Sequence, residues 1–143
     1  MEKINFINNV TKANADTFNT MQDNIENAIN SDVVESGSNA NGNYVKYVDG
    51  TMICYGEKNP SLTINISWGT LYRSETFNIT YPATFTTDPS FNITIKGGTS
   101  AFVLNWNAPA NFKTNTGDYV VVRPDTRASS YYPMTWIAIG RWK

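Results

Sequence analysis

From residue 44 onward apolar and polar residues alternate with a period of two, and no helix pattern intervenes. Leu62, Ile64, Ile66 and Trp68 alternate with Thr63, Asn65 and Ser67. Phe77, Ile79 and Tyr81 alternate with Asn78 and Thr80, and Phe91, Ile93 and Ile95 with Asn92 and Thr94. Successive side chains of a strand point to opposite faces, so this alternation predicts half-buried strands. Tyr44 to Val48 and Thr51 to Tyr55 flank Asp49-Gly50, a strong hairpin signal because glycine tolerates the positive φ that a tight turn needs. Further strands are expected over Ala101 to Trp106, Tyr119 to Arg123 and Met134 to Trp142. Turn residues punctuate them at Gly69, Pro82, Asp88-Pro89, Gly97-Gly98, Asn115-Thr116-Gly117 and Pro124-Asp125. Gly97-Gly98 reads as a hairpin turn. Without intervening helices, strands with one apolar face must bury it against another sheet, which predicts an antiparallel β-sandwich.

The N-terminal part has a different period. Phe18, Met21, Ile25 and Ala28 recur at spacings of three and four, with Ile29 beside them, on a helix expected over residues 10–30. Asn14 is placed to cap it and Asp16 to meet the positive end of its dipole. Two roles fit this seam: an amphipathic helix packed on its own domain, or a stem packed against copies of itself. Two heptads make a marginal isolated helix, so in the second case the rest of the chain must help hold the oligomer. Residues 31–43 are rich in Ser, Asn and Gly and read as a flexible linker. The expected fold is therefore mainly β, with a helical stem at 1–30, a linker at 31–43 and an all-β head at 44–143.

The chain has no histidine, which removes the commonest general base at neutral pH and the commonest metal ligand. Neither a Ser-His-Asp nor a Cys-His arrangement can be built. The single cysteine, Cys54, next to Ile53 on an expected strand, reads as a small core residue, and no zinc set accompanies it. A glycosidase would need two carboxylates at a defined separation. Of the candidates Asp49, Glu57, Glu75, Asp88, Asp118 and Asp125, three stand beside Gly50, Pro89 and Pro124 and read as turn residues. The expectation is no enzyme, no cofactor and no metal. With 11 basic and 12 acidic residues and no charge run, no nucleic-acid footprint is present. No stretch approaches the ~20 apolar residues of a membrane span, and no secretory signal is recognisable. The Asn-X-Ser/Thr triplets at Asn9, Asn65, Asn78 and Asn92 are glycosylation patterns in form, but the last three fit outward strand positions better.

What remains is binding chemistry. Sugars are recognised by an aromatic face for the apolar side of the ring and a few planar polar groups for the hydroxyls. The segment 123–133 carries both, and Arg123, Asp125, Arg127, Tyr131 and Tyr132 are its candidate ligand-binding residues. Asn111 and Lys113, in the loop from Asn107 to Gly117, offer a second polar wall. The other reading of the same residues is that the tyrosines fill core or subunit contacts and the polar groups are solvated turns.

Two stretches carry a resemblance. Glu2-Lys3-Ile4-Asn5-Phe6 with Ala15 to Ile29 resembles the N-terminal helix of small tail-fibre and baseplate proteins from phages and prophages of Gram-positive bacteria. Gly42 to Gly56, Tyr81 to Pro89 and the closing Trp136-Ile-Ala-Ile-Gly-Arg-Trp-Lys143 are similar in order to the C-terminal heads of such fibres. The run from Phe77 to Val103 also resembles H-type lectins, which are trimeric β-sandwiches. The resemblance implies a homotrimer in a virion tail, made in the bacterial cytoplasm. Its stem would join another tail or baseplate protein, and its head would meet a surface glycan or wall polymer. Oligomerisation would then fall to Phe18, Met21, Ile25, Ala28 and Ile29. The alternative within the same family is a structural tail or baseplate component with no receptor-binding role.

Overall fold

The structure, a computed structural model, describes residues 15–30, 32–97, 100–109 and 111–143. The chain divides into two compact units that meet at Asp32 and Val33. The first contains α1 (Ala15–Asn30), with Asp16 in its first turn as the dipole requires. Thr20 turns its hydroxyl back onto the Asp16 carbonyl at 2.8 Å. Phe18, Met21 and Ile25 are all exposed. The expected cap Asn14 and the side chains of Ala28 and Ile29 lie outside the described residues. Among those residues no helix is long and apolar enough to cross a membrane.

The second unit is all β, as the alternation predicts. Its strands are β1 (Val33–Asn39), β2 (Gly42–Tyr47), β3 (Thr51–Lys58), β4 (Ser61–Trp68) and β5 (Leu71–Ser74), followed by β6 (Ser90–Ile95), β7 (Phe102–Asn107), β8 (Asp118–Arg123), β9 (Arg127–Tyr131) and β10 (Met134–Arg141). They form two antiparallel five-stranded sheets, ordered β1-β2-β3-β10-β6 and β7-β8-β5-β4-β9. One core cluster joins the sheets directly: Ile64 and Val121 of the second sheet pack with Met134 of the first, alongside Phe77 and Tyr132. The other packs Met52, Cys54, Trp136 and Ala138 of the first sheet against Ile79, Tyr81 and Phe85.

The Asp49-Gly50 turn closes β2 onto β3 as expected. Gly50 adopts φ +91°, its N–H donates to the Tyr47 carbonyl at 3.0 Å, and the Asp49 carboxylate accepts the Thr51 N–H at 2.7 Å.

Three local expectations are corrected. The segment read as a flexible linker contains β1 and its turn into β2. The small polar residues hide this strand because its partners supply the holding groups. Tyr44 donates to Glu35 at 2.6 Å, Lys46 pairs with the same carboxylate at 2.8 Å, and the Tyr44 ring occupies the space a side chain at Gly37 would need. Residues 77–81 alternate in burial but form no strand. They make only the isolated bridges Phe77 to Tyr119 and Thr80 to Asn115, and the Ile79 N–H is satisfied by the buried Thr116 hydroxyl at 3.0 Å. Finally, Gly97 does not turn a hairpin, because β6 and β7 belong to different sheets and do not pair with each other.

Cys54 is wholly buried, and burial pushes its thiol up to about 11, so the reactive thiolate is scarce. With Ellman's reagent at pH 8, the folded chain should stay unlabelled on a timescale where the chain unfolded in guanidinium reacts fully. Rapid labelling of the folded chain would contradict this packing.

Candidate functional site

The structure splits the residues predicted in segment 123–133. That segment is not one loop, since Arg127 to Tyr131 form β9, an edge strand paired with β4. Arg123, at the end of β8, is buried, and its Nε donates to Asp125 Oδ1 at 3.0 Å. The other oxygen of Asp125 pairs with Arg127 at 2.9 Å. The Arg123 hydrogen bond, helped by the charges of both arginines, holds the Asp125 carboxyl below its ordinary range against an opposing effect of desolvation. Arg123 and Asp125 thus satisfy each other, and Arg127 keeps a half-exposed guanidinium.

The two tyrosines part company. Tyr131 is 69% exposed, whereas Tyr132 is 2% exposed and packs in the core cluster with Ile64 and Met134. Adjacent residues on extended chain face opposite ways, so only one could be outward. Tyr132 is therefore removed from the predicted ligand-binding set. Asn111 and Lys113 are exposed on a turn in which the Asn111 carboxamide accepts the Lys113 N–H at 3.0 Å. Among the described residues no hydrogen bond or ion pair links them to the Arg127 group.

Sequence reasoning missed a second surface. Tyr72 and Val103 pack against the core, which sends their neighbours Arg73, Phe102 and Leu104 to the other face of the second sheet. There the Arg73 guanidinium lies 4.3 Å from the Trp106 ring centre, within cation–π range. Trp68 meets Trp106 edge-on with ring centres 5.7 Å apart. The alternation from Leu62 to Trp68 places all its apolar residues on one face, but the ladder shifts register between Ile64 and Ile66. That irregularity leaves Ile64 wholly buried and Trp68 exposed. No sequence signal marks the shift.

A third feature is a cleft of about 630 Å³ beside the turn joining β1 to β2. It is bounded by residues 39–43, by Tyr55 to Glu57 on β3 and by Thr135 to Ile137 on β10. Three of the acidic residues that a glycosidase would have used have contacts of their own. Asp49 holds its turn, Glu57 pairs with Lys96, and Asp118 accepts from Asn107 at 3.5 Å.

No protein-family model matches the chain, and no curated protein matches it. Among solved structures it is similar to an N-truncated R1-type pyocin tail fibre, at 18% identity and a TM-score of 0.47. That alignment covers 92% of this chain and 98% of the other. It is also similar to an R1 pyocin fibre of P. aeruginosa comprising its C-terminal residues, at 18% identity and a TM-score of 0.45. In that alignment 75% of this chain matches, and the chain spans only 28% of the fibre's length.

Tyr131→Ala should change the unfolding free energy by less than ~0.5 kcal/mol, as surface changes do. Tyr132→Ala should cost about 3–5 kcal/mol, the range of buried aromatic truncations. Urea denaturation followed by tryptophan fluorescence measures both. Equal costs would refute the assignment of one ring outward and one inward.

Proposed function

We propose that the chain is a tail-tip protein of a phage or prophage-derived particle. In this reading it assembles as a homotrimer and recognises a bacterial surface carbohydrate without modifying it. The observation that carries the reading is the amount of large apolar surface the single chain leaves uncovered. Phe18, Met21 and Ile25 are 58%, 48% and 55% exposed along one seam of α1, and Phe102 and Trp68 are 63% and 42% exposed on the β unit. Large apolar side chains left exposed together on one helix seam, or on one sheet face, mark an interaction site. A 16-residue helix is only just longer than the ~12–15 residues at which isolated helices are marginal, so packing of its apolar seam would add most of its stability. The order of elements, a helical unit followed by a β-sandwich, fits a stem that attaches and a head that presents. The sequence resemblance to tail-fibre proteins supplies the biological setting, including a Gram-positive host, and the remaining side-chain chemistry, rich in amides and aromatics without histidine, favours binding over catalysis.

Light scattering of the full chain should give three times the mass of one chain. Ile25→Asp should weaken assembly at least ~100-fold, roughly 2.7 kcal/mol, because the seam would bury charges without partners. The β unit should keep its circular dichroism. A wild-type chain that stays monomeric at high micromolar concentration would sink the stem assignment. In parallel, the labelled full chain should bind some Gram-positive cells selectively and lose that binding when wall glycans are stripped. A well-folded trimer that binds no cell or isolated wall polysaccharide would leave the purely structural tail role.

A further inference from the structure

The second sheet is apolar on both faces, although only one of them packs on the core. Val121 belongs to the inner cluster, so its neighbours Val120 and Val122 point to the other side, where their register partners are Leu104 and Phe102. The two valines are wholly buried, whereas Phe102 beside them stands 63% exposed. The run Tyr119-Val120-Val121-Val122 is the near-continuous apolar strand of a sheet covered on both faces. The chain itself supplies the inner cover.

The outer side stays apolar across four adjacent strands. Phe102 and Leu104 stand on β7, the two valines on β8, Leu71 on β5 and its register partner Trp68 on β4. Among the described residues its one central charge is the Arg73 guanidinium, which lies over the Trp106 ring and donates to the Ser74 carbonyl at 3.0 Å. Polar pairs mark the borders, Asn107 with Asp118 at one and Ser61 with Ser129 at the other. An apolar centre with aromatic residues and arginine, inside a polar rim, is the anatomy of a protein–protein interface. A glycan needs several fixed donors and acceptors, which valine, leucine and phenylalanine do not supply. The first sheet differs: its exposed Ile137 and Ile139 face Asn92 and Ser90 across the β10–β6 ladder, so the apolar strip there stops at β10.

The area also fits. Phe102, Trp68 and Tyr131, the last paired with Ser61 on the same side, are 63%, 42% and 69% exposed. Taking roughly 150–250 Å² for a whole aromatic side chain, these three alone present on the order of 350 Å². With the half-exposed residues between them, the face approaches the roughly 800 Å² that each partner gives to a standard interface. We infer that this outer face is covered by other copies of the same chain, three of them closing their second sheets around a common axis. An apolar face needs no foreign complement, and cyclic symmetry closes when each copy touches both neighbours. Phe102 and Trp68 are the anchors of the contact. The inference rests on the homotrimer reading above and specifies which surface of the β unit makes the contact.

Hydroxyl-radical footprinting of the full chain tests it directly. Trp68 and Phe102 should be oxidised several-fold more slowly in the assembled chain than in the chain diluted until light scattering gives the mass of one copy. Tyr55, on the first sheet, should react equally in both. Phe102→Asp should keep its circular dichroism and weaken assembly at least ~100-fold, because the contact would bury a charge without a partner. Leu104→Lys is the second variant, expected to act in the same direction, should Phe102→Asp fail to fold. Ile137→Asp should assemble as the wild type does. A trimer in which Trp68 and Phe102 react as they do in the dilute chain would overturn the inference and leave the homotrimer standing. Protection of Tyr55 in their place, with assembly broken by Ile137→Asp, would do the same and move the contact to the first sheet. A wild-type chain that is monomeric at high micromolar concentration would remove both readings together.

Discussion

The β unit depends on one strand. β10 is paired on both sides, through eight register pairs with β3 and six with β6. Its inward residues Met134, Trp136 and Ala138 are almost wholly buried and divide between the two core clusters. Met134 meets the second sheet at Ile64 and Val121. Trp136 instead meets Tyr81 of the irregular segment that caps the first sheet and Phe91 of β6, with its ring centre 6.1 Å from each of theirs. Such aromatic pairs add about 0.5–1.5 kcal/mol each beyond their area. Room for these rings comes from glycines on the same sheet: a Cβ on Gly140 would stand 2.8 Å from the Phe85 ring, and Gly56 and Gly42 yield in the same way to Trp136. β3 and β10 are far apart in sequence, so the central ladder closes a long loop before any of this packing forms. Closure cost grows only slowly with loop length, but non-local pairing slows folding.

Much of this fold was legible because burial imposes the alternation. β2, β3, β4, β6, β7, β8 and β10 all fall where apolar residues recur at every second position or flank Asp49-Gly50. The strands that escaped are those whose side chains are not buried by the fold. Every residue of β9 is exposed, and β1 is nearly so, hence neither shows an apolar period. β5 has four residues, too few for a period to register. The opposite error occurred at Phe77 to Tyr81, where extended chain alternates its burial as a strand does. Burial at every second residue reports an extended backbone against a core, and ladder pairing is a separate property set by a distant partner, here Tyr119 and Asn115.

The candidate site was less legible for a related reason. Closeness in sequence of polar and aromatic types points to Arg123 and Asp125, which neutralise each other, and to Tyr132, which is core. The cleft draws its groups from β2, β3 and β10, so no single stretch advertises it. Trp136 reads in sequence as a core aromatic, and it is one. The outward position of Trp68 likewise depends on a register shift that residue types do not encode.

Exposed large apolar groups stand on both sheets, Phe102, Leu104 and Trp68 on the second and Tyr55, Ile137 and Ile139 on the first. The outward face carrying Phe102, Leu104, Trp68 and Trp106 lies on the second sheet, while the cleft is built on the first. A shallow site for a single neutral ring binds weakly, because it gains a few hydrogen bonds and one ring face against the cost of immobilising the ligand. Were the chain presented in several copies on one particle, as proposed, several such sites would meet a polymer that repeats the same ring. Each contact after the first is then intramolecular, and the effective concentration set by the spacing of the heads replaces the free concentration of ligand. Weak individual sites and strong assembly are thus complementary requirements. On the proposed reading the exposed apolar surface would serve the second and a weak binding site the first.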